Sequence, residues 1–172
     1  EKKLAETDPM AAVEAGKLVR LVNESVHKTR ELARGLIPVM SDVQGLMSAL
    51  QMWADEVEDI YGISCKFECP QPVLIWDVAI STHLYHIAQE AVNNAIKHGS
   101  APNILIRLST ENNLGTLQIR DDGAGIPKDQ QNSGGMGLHI MTYRSTMIGG
   151  RLEISRNAEN GTTVSCLFPM KH

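Results

Sequence analysis

Glu90-Ala-Val-Asn-Asn94-Ala-Ile-Lys97-His98, then Asp121-Asp122-Gly123-Ala124-Gly125, then Gly135-Met136-Gly137-Leu138, then Gly161-Thr162 form an ordered series, and their order and spacing carry more than any one of them. Read physically, a carboxylate and an amide lie one helical turn apart, a glycine-flanked acidic turn follows a strand, and a second glycine pair opens a helix. Together they outline a pocket for a magnesium nucleotide.

Working outward from the first run, a helix is expected from about Asp77 to Lys97. Positions three and four apart share a helix face, so Glu90, Asn94 and Lys97 form one polar stripe while Leu84, Ala88, Ala91 and Ala95 turn toward the core. Before it, Leu46, Ala49, Leu50, Trp53, Ala54, Val57 and Ile60 mark an amphipathic helix closed by Gly62. Ile63, Cys65, Phe67 and Cys69 alternate with polar residues as a strand does, and Pro70 and Pro72 end it. Ile104, Ile106 and Leu108, then Leu117 and Ile119, alternate on either side of Glu111-Asn-Asn-Leu-Gly115, which predicts an antiparallel hairpin. A helix over Leu138 to Ile148 closes on Gly149 and Gly150, and strands over Arg151 to Ser155 and Thr162 to Phe168 follow. The expected class is α+β, a two-layer sandwich with helices on one face of a mixed, largely antiparallel sheet. A long helix over residues 9 to 36 is expected to precede it, because Ala11, Ala15, Leu18, Val22, Ser25, Thr29, Leu32 and Leu36 recur at spacings of four and three. That stripe suits either a partner helix or the following domain, and Gly35 to Pro38 should end it. The domain boundary is placed near residue 40, dividing the chain into 1–40 and 41–172.

Composition narrows the function. The 172 residues carry a formal charge of -4, so the cationic surplus needed to neutralise nucleic-acid phosphates is missing and no nucleic acid is expected as a partner. No stretch approaches the ~20 consecutive apolar residues of a membrane span. Cys65, Cys69 and Cys166 lack metal-ligand or redox-pair spacing, and are read as buried, reduced thiols of a cytosolic protein. The chain opens at Glu1 without Met or an apolar leader, and is read as a piece of a longer polypeptide.

The candidate chemistry follows from residue types. Mg2+ takes hard oxygen ligands, keeps several waters and binds substrate phosphates, so the Asn94 amide oxygen is the candidate metal ligand. Glu90, one turn earlier, is placed to hold or deprotonate a water of the metal, and Lys97 and His98 to meet phosphate oxygens. Asp121 or Asp122 ends a strand beside glycines that let a ligand approach closely. A carboxylate only accepts hydrogen bonds, so it suits the exocyclic amine of adenine and repels the carbonyl that guanine carries there. Gly134, Gly135 and Gly137 precede a helix whose free N–H groups and positive dipole end can hold phosphate. The polar stretch Pro127 to Ser133 suits either a mobile lid or an ordinary surface loop.

These runs resemble the catalytic, ATP-binding domain of sensor histidine kinases, within the superfamily shared with type II topoisomerases, a heat-shock chaperone and a mismatch-repair protein. Glu90 to His98 is similar to the family's asparagine-containing box, Asp121 to Gly125 to its first glycine box, and Gly135 to Leu138 to its second; the resemblance covers residues 41 to 170. It implies that Asn94 binds Mg2+, that Asp121 receives the adenine amine, and that Gly123, Gly125, Gly135, Gly137 and Leu138 shape the pocket for ATP. It implies a water-mediated adenine contact for Thr162, phosphate contacts for Lys97 and His98, and a role near the metal for Glu90. Arg34-Gly-Leu-Ile-Pro38 and the short lid resemble the subfamily whose partners are response regulators with a helix-turn-helix output domain. There, the phosphorylated histidine lies on the first helix of a dimerisation hairpin, and residues 9 to 36 resemble only the second. His27 is followed by Lys28 rather than an acidic residue, and is read as a surface position. The resemblance thus implies phosphoryl transfer from ATP to a histidine on the homodimer's hairpin, then to a regulator aspartate, either free in the cytoplasm or on the cytoplasmic side of a membrane-anchored sensor. An ATPase that drives a conformational cycle and a noncatalytic scaffold are the competing readings.

Overall fold

In the computed structural model, residues 44–126, 135–158 and 160–170 are described. The expected N-terminal helix, the boundary near residue 40, His27, Gly134 and the Pro127 to Ser133 stretch lie outside them.

Helix α1, Gly45–Tyr61, buries Leu46, Leu50, Trp53, Ala54 and Val57 along one stripe. Gly62 ends it at φ 66°, where its N–H reaches back to the Glu58 carbonyl at 2.9 Å, a left-handed cap that glycine adopts without steric cost. Strand β1, Ser64–Glu68, pairs parallel with β2, Asn103–Glu111. Parallel neighbours need a crossover, and helix α2, Val78–Asn94, supplies it. The Asp77 carboxylate caps α2 by accepting from the N–H groups of Ala79 and Ile80 at 2.8 and 3.3 Å. Ile80, Leu84, Ile87, Ala88 and Ala91 form its buried face.

The α geometry stops three residues short of the expected Lys97. Ala95–Gly99 form one wider π turn, closed by Ser100 at φ 48° with its N–H on the Ala95 carbonyl. Such a turn adds a residue per revolution, so Lys97 leaves the stripe that regular helical spacing assigns it.

β2 and β3, Leu114–Asp121, are joined by Asn112 and Asn113, both at positive φ (51° and 65°). A two-residue turn of that kind matches the twist of the strands and favours asparagine. Helix α3 (Met136–Met147), then strands β4 (Arg151–Arg156) and β5 (Thr162–Pro169), complete the described chain. The sheet order is β1-β2-β3-β5-β4, with every pair after the first antiparallel. The mixed sheet and its helical layer match the expected α+β class.

One face of the sheet is covered by helices. Ile104, Ile106 and Leu108 of β2, Leu117 and Ile119 of β3, and Val164, Cys166 and Phe168 of β5 are buried there with Leu50, Leu84 and Ile87 of the helices. Successive strand residues face opposite sides, so Asp121, in phase with Leu117 and Ile119, is carried under the helices as well. The same period puts Thr162 in phase with Val164. Strand alternation thus delivers a carboxylate to the rim of an apolar core.

Candidate nucleotide site

A cavity of about 820 Å³ opens where the C-terminal end of α2, the end of β3, the start of α3 and the β4–β5 turn converge. That volume falls in the range of sites that enclose a small ligand. Ile119, Met141 and Val164 give it an apolar floor, while Asp121, Asn94, Glu90 and His98 supply polar groups on its walls.

At one wall Asp121 is only 6% exposed. Its Oδ1 accepts from the N–H of Gly123 at 2.9 Å and of Thr162 at 3.2 Å. Its backbone carbonyl accepts from Nδ2 of Asn157 at 2.7 Å, and the same amide reaches the Thr162 carbonyl at 3.2 Å. One carboxylate oxygen is therefore spent on orientation, which leaves Oδ2 as the acceptor for a ligand. The glycines make this packing possible. A Cβ on Gly123 would stand 2.5 Å from the Gly99 carbonyl oxygen, and one on Gly161 would overlap the Asp121 carbonyl. The N–H of Ala124 bonds that Gly99 carbonyl at 2.9 Å, so three backbone segments meet with no room for side chains. Gly125 sits at φ 73° against Asn160, a conformation that favours glycine.

Asp122 is resolved from its neighbour by direction. Its two oxygens accept from the backbone N–H and the side-chain amide of Asn103, at 2.9 and 2.7 Å, so it fastens the start of β2 and does not line the cavity. The hydrogen bond from the Asn103 side chain holds its carboxyl below the usual value.

At the other wall, Glu90 and Asn94 face the opening of α3. A Cβ on Gly137 would run into Oε1 of Glu90 and come within 3.3 Å of Nδ2 of Asn94. Gly135 caps α3 without any side-chain hydrogen bond. The Leu138 N–H donates to the Gly135 carbonyl at 3.0 Å, so the N–H groups of Met136 and Gly137 are the ones left at this end among the described residues, as at anion-binding helix starts.

Of the residues singled out from sequence, Glu90, Asn94, His98, Asp121, Gly125, Gly135, Gly137, Leu138 and Thr162 share this cavity. Gly123 stands behind the wall, where it holds Asp121. Lys97 is exposed and off the wall, because the π turn brings His98 to the cavity in its place. Gly99, Met141, Asn157 and Arg156 take part without having been singled out. A break in helical geometry, a strand-pair register and a turn amide leave no short sequence pattern. Cys65 and Cys166 are buried, with burial pushing the Cys65 thiol up to about 12, whereas Cys69 is partly exposed.

A nucleotide with Mg2+ fits this donor set. Among the described residues no group of three His, Cys, Asp or Glu side chains is placed to hold a metal ion. A cation in this cavity would have to draw most of its ligands from phosphate and water, as Mg2+ does readily.

Residues 79–172 match the family model described as histidine kinase-, DNA gyrase B- and HSP90-like ATPase. The nitrate/nitrite sensor protein NarQ of Escherichia coli (strain K12) is 32% identical over 148 residues, which is 86% of this chain and 26% of that protein. The sensor histidine kinase LiaS of Bacillus subtilis (strain 168) is 29% identical over 158 residues, 87% of this chain and 41% of that protein. This chain thus spans well under half the length of these relatives. The ATP-binding domain of PrrB from Mycobacterium tuberculosis superposes with a TM-score of 0.62 at 21% identity, over 76% of this chain and 96% of that one, which is a likeness of fold. No described helix is long and apolar enough to cross a membrane. The chain belongs to the family of histidine kinase-, DNA gyrase B- and HSP90-like ATPases, as an ATP-binding catalytic domain of the sensor histidine kinase kind.

Proposed function

We propose that this domain binds Mg-ATP in the 820 Å³ cavity and transfers the γ-phosphoryl group to a histidine on a dimerisation hairpin of its parent protein, for relay to an aspartate of a response regulator. The observation that supports it is that Asp121 and Asn94 line one cavity, the first locked by Gly123 and Thr162, the second beneath Gly137. Adenine places its exocyclic amine on Asp121 Oδ2. The apolar floor takes the ring, and Thr162 supports the contact through a water. The phosphates lie toward the start of α3, with Gly135, Gly137 and Leu138 close enough for their backbone to approach, and His98 meets them from the π turn. Lys97 reaches them only by extending over the rim.

Mg2+ held by Asn94 would offset phosphate charge, and Glu90 orients or deprotonates a water beside it. The protein then contributes position and electrostatics rather than a covalent intermediate. The residues 9 to 36 segment serves as the second helix of the hairpin in a homodimer, and the regulator carries a helix-turn-helix output domain. The domain acts in the cytoplasm, free or tethered to a membrane sensor.

Titration calorimetry with Mg-ATP tests the site. Asn94→Asp, which sets a second carboxylate one turn from Glu90, and Asp121→Asn should both abolish binding in a folded domain. Wild-type affinity in both variants refutes the assignment. A phosphorylation assay tests the activity: the chain should label a supplied hairpin carrying an acceptor histidine and not itself, and acid-labile label on His27 would contradict that.

A further inference from the structure

We infer that Arg156 is a nucleobase-contacting residue, its guanidinium laid against the purine whose amine Asp121 receives. This rests on the nucleotide reading above. Arg156 is the last residue of β4 and pairs directly with Thr162 of β5. Opposed residues of an antiparallel pair project from the same face with Cβ atoms about 4.5–5.5 Å apart. Thr162 is the residue whose N–H holds Asp121 Oδ1, so Arg156 rises beside the acceptor end of the cavity.

Two further observations agree. Arg156 lines the cavity, and its Nε lies 3.3 Å from where a Cβ on Gly125 would stand, so the bare glycine backbone leaves the guanidinium its place. Its side chain makes no ion pair or hydrogen bond among the described residues, in contrast to Arg151 of the same strand, whose Nε meets Glu153 at 3.2 Å. An exposed cation without a partner among the described residues, on the wall of a cavity, can serve a ligand. The groups suited to phosphate, Asn94 and the α3 start, lie against Gly137 rather than Gly125. The moiety within reach is therefore the base. A planar guanidinium stacks on an aromatic ring where a lysine ammonium offers only a point charge.

The experiment measures affinities of adenosine, ADP and ATP by competition for wild type, Arg156→Ala and Arg156→Lys, with unfolding midpoints as a fold check. Arg156→Ala should weaken all three ligands by the same factor, roughly threefold to thirtyfold for a cation lost from a ring face. Arg156→Lys should recover little of it, and midpoints should stay put. Unchanged affinities in both variants overturn the inference while leaving the nucleotide site intact. So does a loss that grows from adenosine to ATP, which marks a phosphate contact. Failure of the wild-type chain to bind any of the three overturns both readings.

Discussion

Asp121 and Asp122 are adjacent and chemically identical, yet they do different work because strand alternation turns one under the helices and the other toward Asn103. The orienting bonds to Asp121 leave one oxygen for ligand, so Asp121→Asn replaces a charge-assisted acceptor with an amide that can present N–H₂ to the adenine amine. The lost hydrogen bond to a charged group is worth ~1.5–3 kcal/mol, roughly tenfold to 150-fold in affinity, and the opposition of the amide to the amine should take Mg-ATP binding below detection. Asp122 gives a pH dependence instead. Its carboxyl is held below the unfolded value of about 3.9, so its contribution to stability is fully present at neutral pH and is lost as pH falls through the depressed folded-state value. The group is partly solvent-accessible, so the effect stays below ~1 kcal/mol. Urea unfolding of wild type and Asp122→Asn should differ at pH 7 and converge near pH 2; a gap that persists in acid would assign the difference to the amide's shape rather than to charge.

At the scale of elements, the site depends on backbone segments that touch without side chains between them. Gly161→Ala drives a methyl into the Asp121 carbonyl, which is backbone and cannot swing aside, so an overpacking cost of ~1–3 kcal/mol in unfolding free energy is expected. Gly137→Ala meets only side-chain ends, the carboxylate of Glu90 and more loosely Nδ2 of Asn94, which can move. Its stability should change by less than ~0.5 kcal/mol, as for a surface change. Phosphoryl transfer should drop all the same, because Glu90 is displaced from beside Asn94. Denaturant melts beside transfer assays would expose an equal loss of stability in the two variants as a contradiction. The capped start of α2 gives a third case: Asp77→Ala removes the acceptor of two N–H groups and should cost about 1 kcal/mol.

For the whole molecule, the sheet and its helical layer make one core whose upper edge is the cavity floor. Met141 is fully buried and lines the site, so packing and binding share side chains. Ligand that binds only the folded state should therefore raise stability by mass action, about 2.7 kcal/mol at one hundred times the dissociation constant. A thermal melt with Mg-ATP should rise in wild type and stay flat in Asp121→Asn; equal rises in both would place binding elsewhere.

Read alone, the chain determined a great deal, because the signals involved are local. The 2.0 and 3.6 periods, Gly62 after Ile60, and the polar turn between Leu108 and Leu117 stated which residues make helices and strands. The spacing of Glu90, Asn94, Asp121 and the glycines singled out residues that the fold gathers around one cavity. Tertiary structure decided what depends on groups far apart in sequence. It separated Asp121 from Asp122, which residue types alone left open and the family resemblance alone distinguished, since the partners that set them apart, Asn103, Asn157 and Thr162, are brought there by strand pairing. It put His98 rather than Lys97 on the cavity wall, since a π turn is a compromise with packing that residue periodicity does not record. It also placed Arg156 opposite Thr162, because register is a relation between strands and neither strand carries it alone.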